Sequence, residues 1–170
     1  MKNIVLMLVI FLLTLTSCGK ERIEEISKLE KRDGINYVIG EDKPYTGIFI
    51  KRYENRNTYI EARFKNGLLH GETRIYFENG DLAATSIYIN DKLDGNHKKY
   101  YTNGNIKVET MYKNGNREGK HKTYYENGNI EGEIIYKNGE IVPPIRYYDK
   151  NGNLNFLHKK WRSDLWKKLY

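Results

Sequence analysis

The chain is short of the residues that staple or span. One cysteine, Cys18, stands in 170 residues, so no internal disulfide can form. No apolar run reaches the roughly 20 residues a bilayer-crossing helix needs; the longest extends only from Ile4 to Leu15. Apolar residues make up 39% of the chain, prolines number three and mean hydropathy is −0.77, which argues against a thick buried core. What is plentiful is tyrosine, fifteen in all. A tyrosine ring can bury its body and keep its hydroxyl wet, which suits the surface of a thin sheet.

The first residues stand apart. "MKNIVLMLVIFLLTLTSCGK" has one cation, Lys2, then the apolar run, then small residues before Cys18, the layout of a secretory signal over residues 1–17. The junction Leu15-Thr16-Ser17-Cys18 resembles the bacterial lipoprotein cleavage box, which implies acylation of Cys18 and anchoring in the membrane. The alternative is a plain signal with an incidental cysteine. Gly19 is not the aspartate associated with inner-membrane retention, so in a Gram-negative cell the resemblance implies an exported protein, lipid-anchored at the outer membrane or surface.

Net charge is +7 over the full chain, and residues 156–170 alone contribute five bases against one acid. The basic character belongs mainly to that tail, so the body of the chain does not read as a nucleic-acid surface.

The body repeats. Gly47, Gly71, Gly95 and Gly119 recur every 24 residues, a period that marks a repeat architecture. Each unit holds two asparagine-led turn signals. Asn79-Gly80, Asn103-Gly104, Asn127-Gly128 and Asn151-Gly152 form one set; Asn66-Gly67, Asn90-Asp91, Asn114-Gly115 and Asn138-Gly139 form the other. Asn-Gly favours two-residue type I′ hairpin turns, because both central residues need positive φ. Two antiparallel strands per unit, chained as a single-layer β-meander, are therefore predicted over residues 35–155. Units fall near 47–70, 71–94, 95–118 and 119–142, with a partial one at 143–155.

If both turn sets are two-residue loops, Tyr101 faces Ile106, Lys99 faces Val108, His97 faces Thr110, Tyr112 faces Arg117 and Thr110 faces Gly119. Tyr101, Ile106, Val108, Thr110 and Tyr112 then share an apolar-aromatic face. The other face is charged and carries Met111, Ile135 and a row of Tyr76, Tyr100 and Tyr124. Those five residues are the candidate partner-binding surface; cross-strand packing that merely stabilises a thin sheet is the alternative reading.

The pattern Tyr-Tyr-x-Asn-Gly-x-Ile followed by Tyr-Lys-Asn-Gly, at this spacing, resembles the bacterial MORN-variant repeats, including proteins of the YwqK-family antitoxins. The lead-in from Arg32-Asp33-Gly34 to Pro44-Tyr45-Thr46-Gly47 resembles that family as well. The resemblance spans about residues 32–155 and implies an all-β repeat fold and a protein that neutralises a toxin by binding it. Departures occur at Asn55-Arg56 and Asn90-Asp91, and Pro143-Pro144 is expected to interrupt the fifth unit.

Residues 18–34 place Ile23, Ile26 and Leu29 at helical spacing before Gly34, which predicts a spacer or a short helix stopped by that glycine. At the far end, Leu157, Trp161, Leu165 and Leu169 predict an amphipathic helix over 156–170. Its polar side carries Lys159, Lys160, Arg162, Lys167 and Lys168, with Trp166 beside the apolar stripe. Such a helix either contacts anionic lipid or an acidic partner, or folds back over the open edge of the sheet. The two tryptophans favour the cover.

Catalytic patterns are missing. His97 and His121 share a repeat position, but equivalent residues two strands apart lie roughly 9 to 10 Å from each other, too far for one zinc. Ser27, Ser86 and Ser163 lack a Gly-x-Ser-x-Gly setting. Gly115 to Lys120 is one residue short of a phosphate loop, with His121 in the place of its Ser or Thr. The expectation is a non-catalytic binding module with no cofactor, metal or small-molecule substrate, whose partner is another protein. A toxin is the first candidate, by family resemblance; a surface ligand of an envelope adhesion or scaffold lipoprotein is the second.

Overall fold

Two turn chemistries alternate along the chain and set the register of one long sheet. The structure is a computed structural model that describes residues 21–154. Cys18 and the predicted helix with Lys159, Lys160, Trp161, Arg162, Trp166, Lys167 and Lys168 lie outside the described residues.

Three short strands come first: β1 (Ile23–Glu25), β2 (Leu29–Arg32) and β3 (Ile35–Val38). The meander follows as β4 (Gly47–Arg52), β5 (Thr58–Lys65), β6 (Leu68–Tyr76), β7 (Leu82–Ile89), β8 (Lys92–Tyr100), β9 (Ile106–Lys113), β10 (Asn116–Tyr124), β11 (Ile130–Lys137) and β12 (Glu140–Tyr147). Strands β4 to β12 pair antiparallel in sequence order, and β1 adds to the β4 edge in parallel. The expected all-β repeat sheet is what forms.

The short helix predicted within 18–34 does not. Between Ile23 and Arg32 the segment is two strands, β1 and β2, around a 3-10 turn at Ile26–Lys28, and β2 and β3 form a separate hairpin. Asp33 and Gly34 both take positive φ and connect Arg32 to its partner Ile35. Asp-Gly is thus a tight hairpin turn here rather than a helix stop. The hairpin docks on the Asn66-Gly67 turn between β5 and β6, where the main-chain N–H of Asn36 donates to the Gly67 carbonyl at 3.0 Å.

The Asn66-Gly67, Asn90-Asp91, Asn114-Gly115 and Asn138-Gly139 turns are two-residue loops with both residues at positive φ, as type I′ geometry requires. The other set is longer. Between β8 and β9 the chain turns over Tyr101–Asn105: Gly104 N–H donates to the Tyr101 carbonyl at 3.0 Å and Tyr101 N–H to the Asn105 carbonyl at 2.8 Å. Only the glycine of Asn103-Gly104 has positive φ, so this is a wider turn closed by a left-handed glycine. Tyr100, not Tyr101, consequently stands opposite Ile106, and the register slips by one residue beside it.

A second irregularity moves Gly119. His97 pairs with Thr110, Lys99 with Val108 and Tyr112 with Arg117, as expected. Thr110, however, faces His121, because Glu118, Gly119 and Lys120 stand against the single residue Met111. The recurrent glycine sits in this bulge, at positive φ in Gly71, Gly95 and Gly119, where a side chain would be strained. In the last unit Pro143-Pro144 occupies the same bulge, between the pairs Ile135↔Val142 and Glu133↔Arg146. The prolines therefore do not interrupt the fifth unit: a bulge on an edge strand has no ladder bond for their missing N–H to break.

The sheet buries little. Among the described residues the buried apolar side chains are Val38, Tyr45, Ala62, Ala84 and Tyr136, joined by Thr73, Ser86 and Thr110. An aromatic cluster at the first units comes nearest to a core, with Phe64 at 5.9 Å centroid separation from both Tyr45 and Phe49. The Tyr45 hydroxyl donates to the Ile48 carbonyl at 2.5 Å.

Side-chain clasps along one end of the sheet supply what the thin core cannot. Tyr101 Oη donates to the Tyr124 carbonyl at 2.7 Å, and the Nδ2 groups of Asn103 and Asn105 donate to the Glu126 carbonyl at 3.0 and 2.8 Å. Tyr125, Asn127 and Asn129 repeat these bonds onto Tyr148 and Lys150, and Tyr53, Asn55 and Asn57 make them onto Tyr76 and Glu78. Phe77 and Asp81 stand in the loop between β6 and β7, so that loop has neither the hydroxyl nor the second amide. Asn79 there turns to Asp81, with its Nδ2 2.8 Å from Oδ2.

Candidate binding surface

Side chains of paired residues point to one face, and two faces emerge. On the charged face, Lys98 Nζ lies 3.1 Å from Glu109 Oε1, Lys122 Nζ 3.7 Å from Glu133 Oε1, and Arg146 3.9 Å from Glu133 Oε2. The predicted tyrosine row lies here. Tyr124 Oη donates to Glu109 Oε2 at 3.3 Å, and the next member, Tyr148, donates to Glu133 Oε2 at 3.2 Å. Burial, followed by the neighbouring carboxylate, pushes both phenols above their ordinary pKa. Tyr100 occupies the same place one unit earlier, where the residue corresponding to Glu109 and Glu133 is Thr85.

The structure does not bring the five predicted contact residues into one patch. Tyr76, Tyr100 and Tyr124 end their strands at the clasped end of the sheet. Met111 and Ile135 lie at the opposite end, near the type I′ turns, with the ion-pair row between them. Met111 is 45% exposed and Ile87, one unit before it, 38%. Ile135 is half-buried and paired with Val142. The charged face thus offers a tyrosine edge and a separate aliphatic edge.

On the other face the strand centres carry a polar row. Ser86 Oγ is 2.8 Å from His97 Nδ1, and Thr110 Oγ1 is 2.6 Å from His121 Nδ1. Each imidazole stands edge-on to a tyrosine, His97 to Tyr112 and His121 to Tyr136, at 6.0 Å. Burial lowers both histidine pKa values, and nearby positive charge lowers them further. Among the described residues, no three His, Cys, Asp or Glu side chains gather as a metal site.

Towards the type I′ end of this face sits Arg117. It donates through Nη1 to Tyr136 Oη at 2.8 Å and through Nε to Tyr112 Oη at 3.4 Å, with its guanidinium 5.1 Å from the Tyr136 ring centroid. Sequence reasoning placed Arg117 opposite Tyr112 without giving it a role. The signal was a break in the repeat: at 24-residue intervals the equivalent positions are Tyr45, Leu69, Leu93 and Ile141.

An open β-meander of 24-residue units with unlike faces is a repeat architecture, which presents an extended surface. Residues 69–90, 93–114 and 117–138 each match the family model described as a MORN repeat variant. The central units of the chain thus carry three MORN-variant repeats. Comparison with curated proteins finds no match.

Proposed function

We propose that this protein is a non-catalytic, lipid-anchored binding module that neutralises another protein, in the manner of an antitoxin or immunity protein. The observation that carries the reading is the tyrosine edge of the charged face. Tyr76, Tyr100 and Tyr124 lie in one row across the sheet, only half-buried, and tyrosine provides large contact area at low entropic cost. The sequence at Cys18 supports acylation and an envelope location, which is where an immunity protein with this signal would meet its partner.

Capture from envelope and extracellular fractions, with wild type and with Tyr100→Ser plus Tyr124→Ser, tests the contact surface. Loss of the partner by a still-folded variant is the expected result, and unchanged capture would remove the tyrosine edge. Fatty-acid labelling that persists in Cys18→Ala would remove the anchor.

A further inference from the structure

We propose that Arg117, held between Tyr112 and Tyr136, is a recognition site for a single carboxylate presented by an acidic side chain of a protein partner. The proposal rests on the protein-binding reading above and adds a second contact on the opposite face.

Arg22, Arg32, Arg52, Arg63, Arg74 and Arg146 each lie within ion-pair distance of a carboxylate. Arg56 and Arg117 make no ion pair among the described residues, and of the two only Arg117 lies in a strand, exposed but held against the sheet face by its bonds to two tyrosines. Its two protein partners are phenol oxygens, which accept from the guanidinium and keep their own protons to donate. The outer nitrogen Nη2 and two phenol protons therefore remain for a ligand oxygen, and a planar guanidinium suits a carboxylate's paired oxygens.

The charge of the surroundings selects the ligand. The strand residues paired around Arg117 on this face are Gly95, Tyr112, Tyr136 and Ile141, with Thr110, His97 and His121 beyond. None is acidic, and burial, with nearby positive charge, lowers the pKa of both histidines and so favours their neutral forms. Arg117 is the one positive charge between the two phenols, and Lys99 stands further along this face beside His97; a single guanidinium in that setting matches a monoanionic carboxylate better than a phosphate dianion or a polyanionic strand. Ile141, paired with Tyr136 and 49% exposed, gives the site an apolar shoulder. The fitting partner is thus a Glu or Asp next to an aliphatic side chain.

The test reads the Arg117 Nε–H and the Tyr112 and Tyr136 amides by NMR in the full chain. The probes are N-acetyl-Glu-Leu-amide, N-acetyl-Gln-Leu-amide, inorganic phosphate, and phosphatidylcholine vesicles containing phosphatidylserine. Saturable shifts with the Glu peptide, at least about tenfold weaker with the Gln peptide, are expected, with half-saturation in the millimolar range. Arg117→Leu installs the residue of the equivalent positions 69 and 93, so the fold should persist while the Tyr112 and Tyr136 responses vanish. Arg56→Leu, which removes a charge elsewhere, should leave them intact. Equal response to the two peptides, no saturation, or tighter response to phosphate or vesicles would overturn the assignment. None of these readouts involves the tyrosine edge, so failure here is separable from failure of the protein-binding reading.

Discussion

The Tyr101 hydroxyl donates to the main-chain carbonyl of Tyr124 at 2.7 Å, so a side chain of one repeat completes the backbone hydrogen bonding of the next. Phe77 stands one unit earlier and leaves the Tyr100 carbonyl without that donor. Phe77→Tyr should therefore stabilise the sheet by about 1 kcal/mol, the usual net value of such a bond. Tyr101→Phe should cost a similar amount. Urea unfolding curves of the two variants check the pair of signs, and no gain from Phe77→Tyr would show that the clasp contributes geometry without stability.

Thr73 Oγ1 is buried without a hydrogen-bond partner. Replacing a buried unpaired hydroxyl with a methyl group of the same shape removes a desolvation cost, so Thr73→Val should raise stability by about 1 kcal/mol. Thermal melts and a structure of the variant would decide it. A loss of stability would mean the hydroxyl is paired, for instance by ordered water.

Arg56 has φ +70° at the turn position that glycine fills in the later loops. A left-handed conformation costs a residue with a Cβ about 1 to 2 kcal/mol. Arg56→Gly should recover part of that, less the entropy that glycine adds to the unfolded chain. Denaturation midpoints at high salt, where charge effects are screened, isolate the backbone contribution.

Acid should loosen the histidine face. His97 and His121 have folded pKa values below 6.5, chiefly through burial, with Lys99 and Arg117 adding repulsion at His97 and Arg117 doing so at His121. The unfolded chain then binds more protons just below pH 6.5, so stability falls as pH drops from there through the lowered values. At the other extreme, burial pushes the Tyr45 phenol up to about 12, so its contribution is lost as pH rises from about 10. Unfolding curves across pH should show both flanks. Replacing both histidines with Gln should flatten the acid flank above the range where carboxylates titrate.

The 24-residue period and the type I′ turns were legible because they depend on local chemistry: only certain residues accept two consecutive positive φ angles. The pairs His97–Thr110 and Lys99–Val108 followed from counting. Counting failed at Tyr101 and Gly119, where extra residues enter one strand. A glycine spaced at 24 says that something recurs, not that it is a bulge. The parallel β1 strand was hidden for a different reason. Its Ile23 also fits helical spacing with Ile26 and Leu29, and only the β4 edge, supplied by the rest of the fold, decides between the two. Arg117 shows the limit at the site itself: its position was right, but its meaning lay in two hydroxyls brought there by neighbouring strands.

The missing clasp at Phe77 and Asp81 has an engineering consequence. Each clasp is a ruler 23 or 21 residues long between donor and acceptor, so an added 24-residue unit brings its own donors and acceptors in phase. The loop between β6 and β7 is the one joint of the series where no such bonds would first have to be broken. A copy of residues 106–129 spliced between Asp81 and Leu82 should lengthen the array by two strands and place a complete clasp beyond the old gap. The break in the pattern is thereby the natural point at which this sheet can grow.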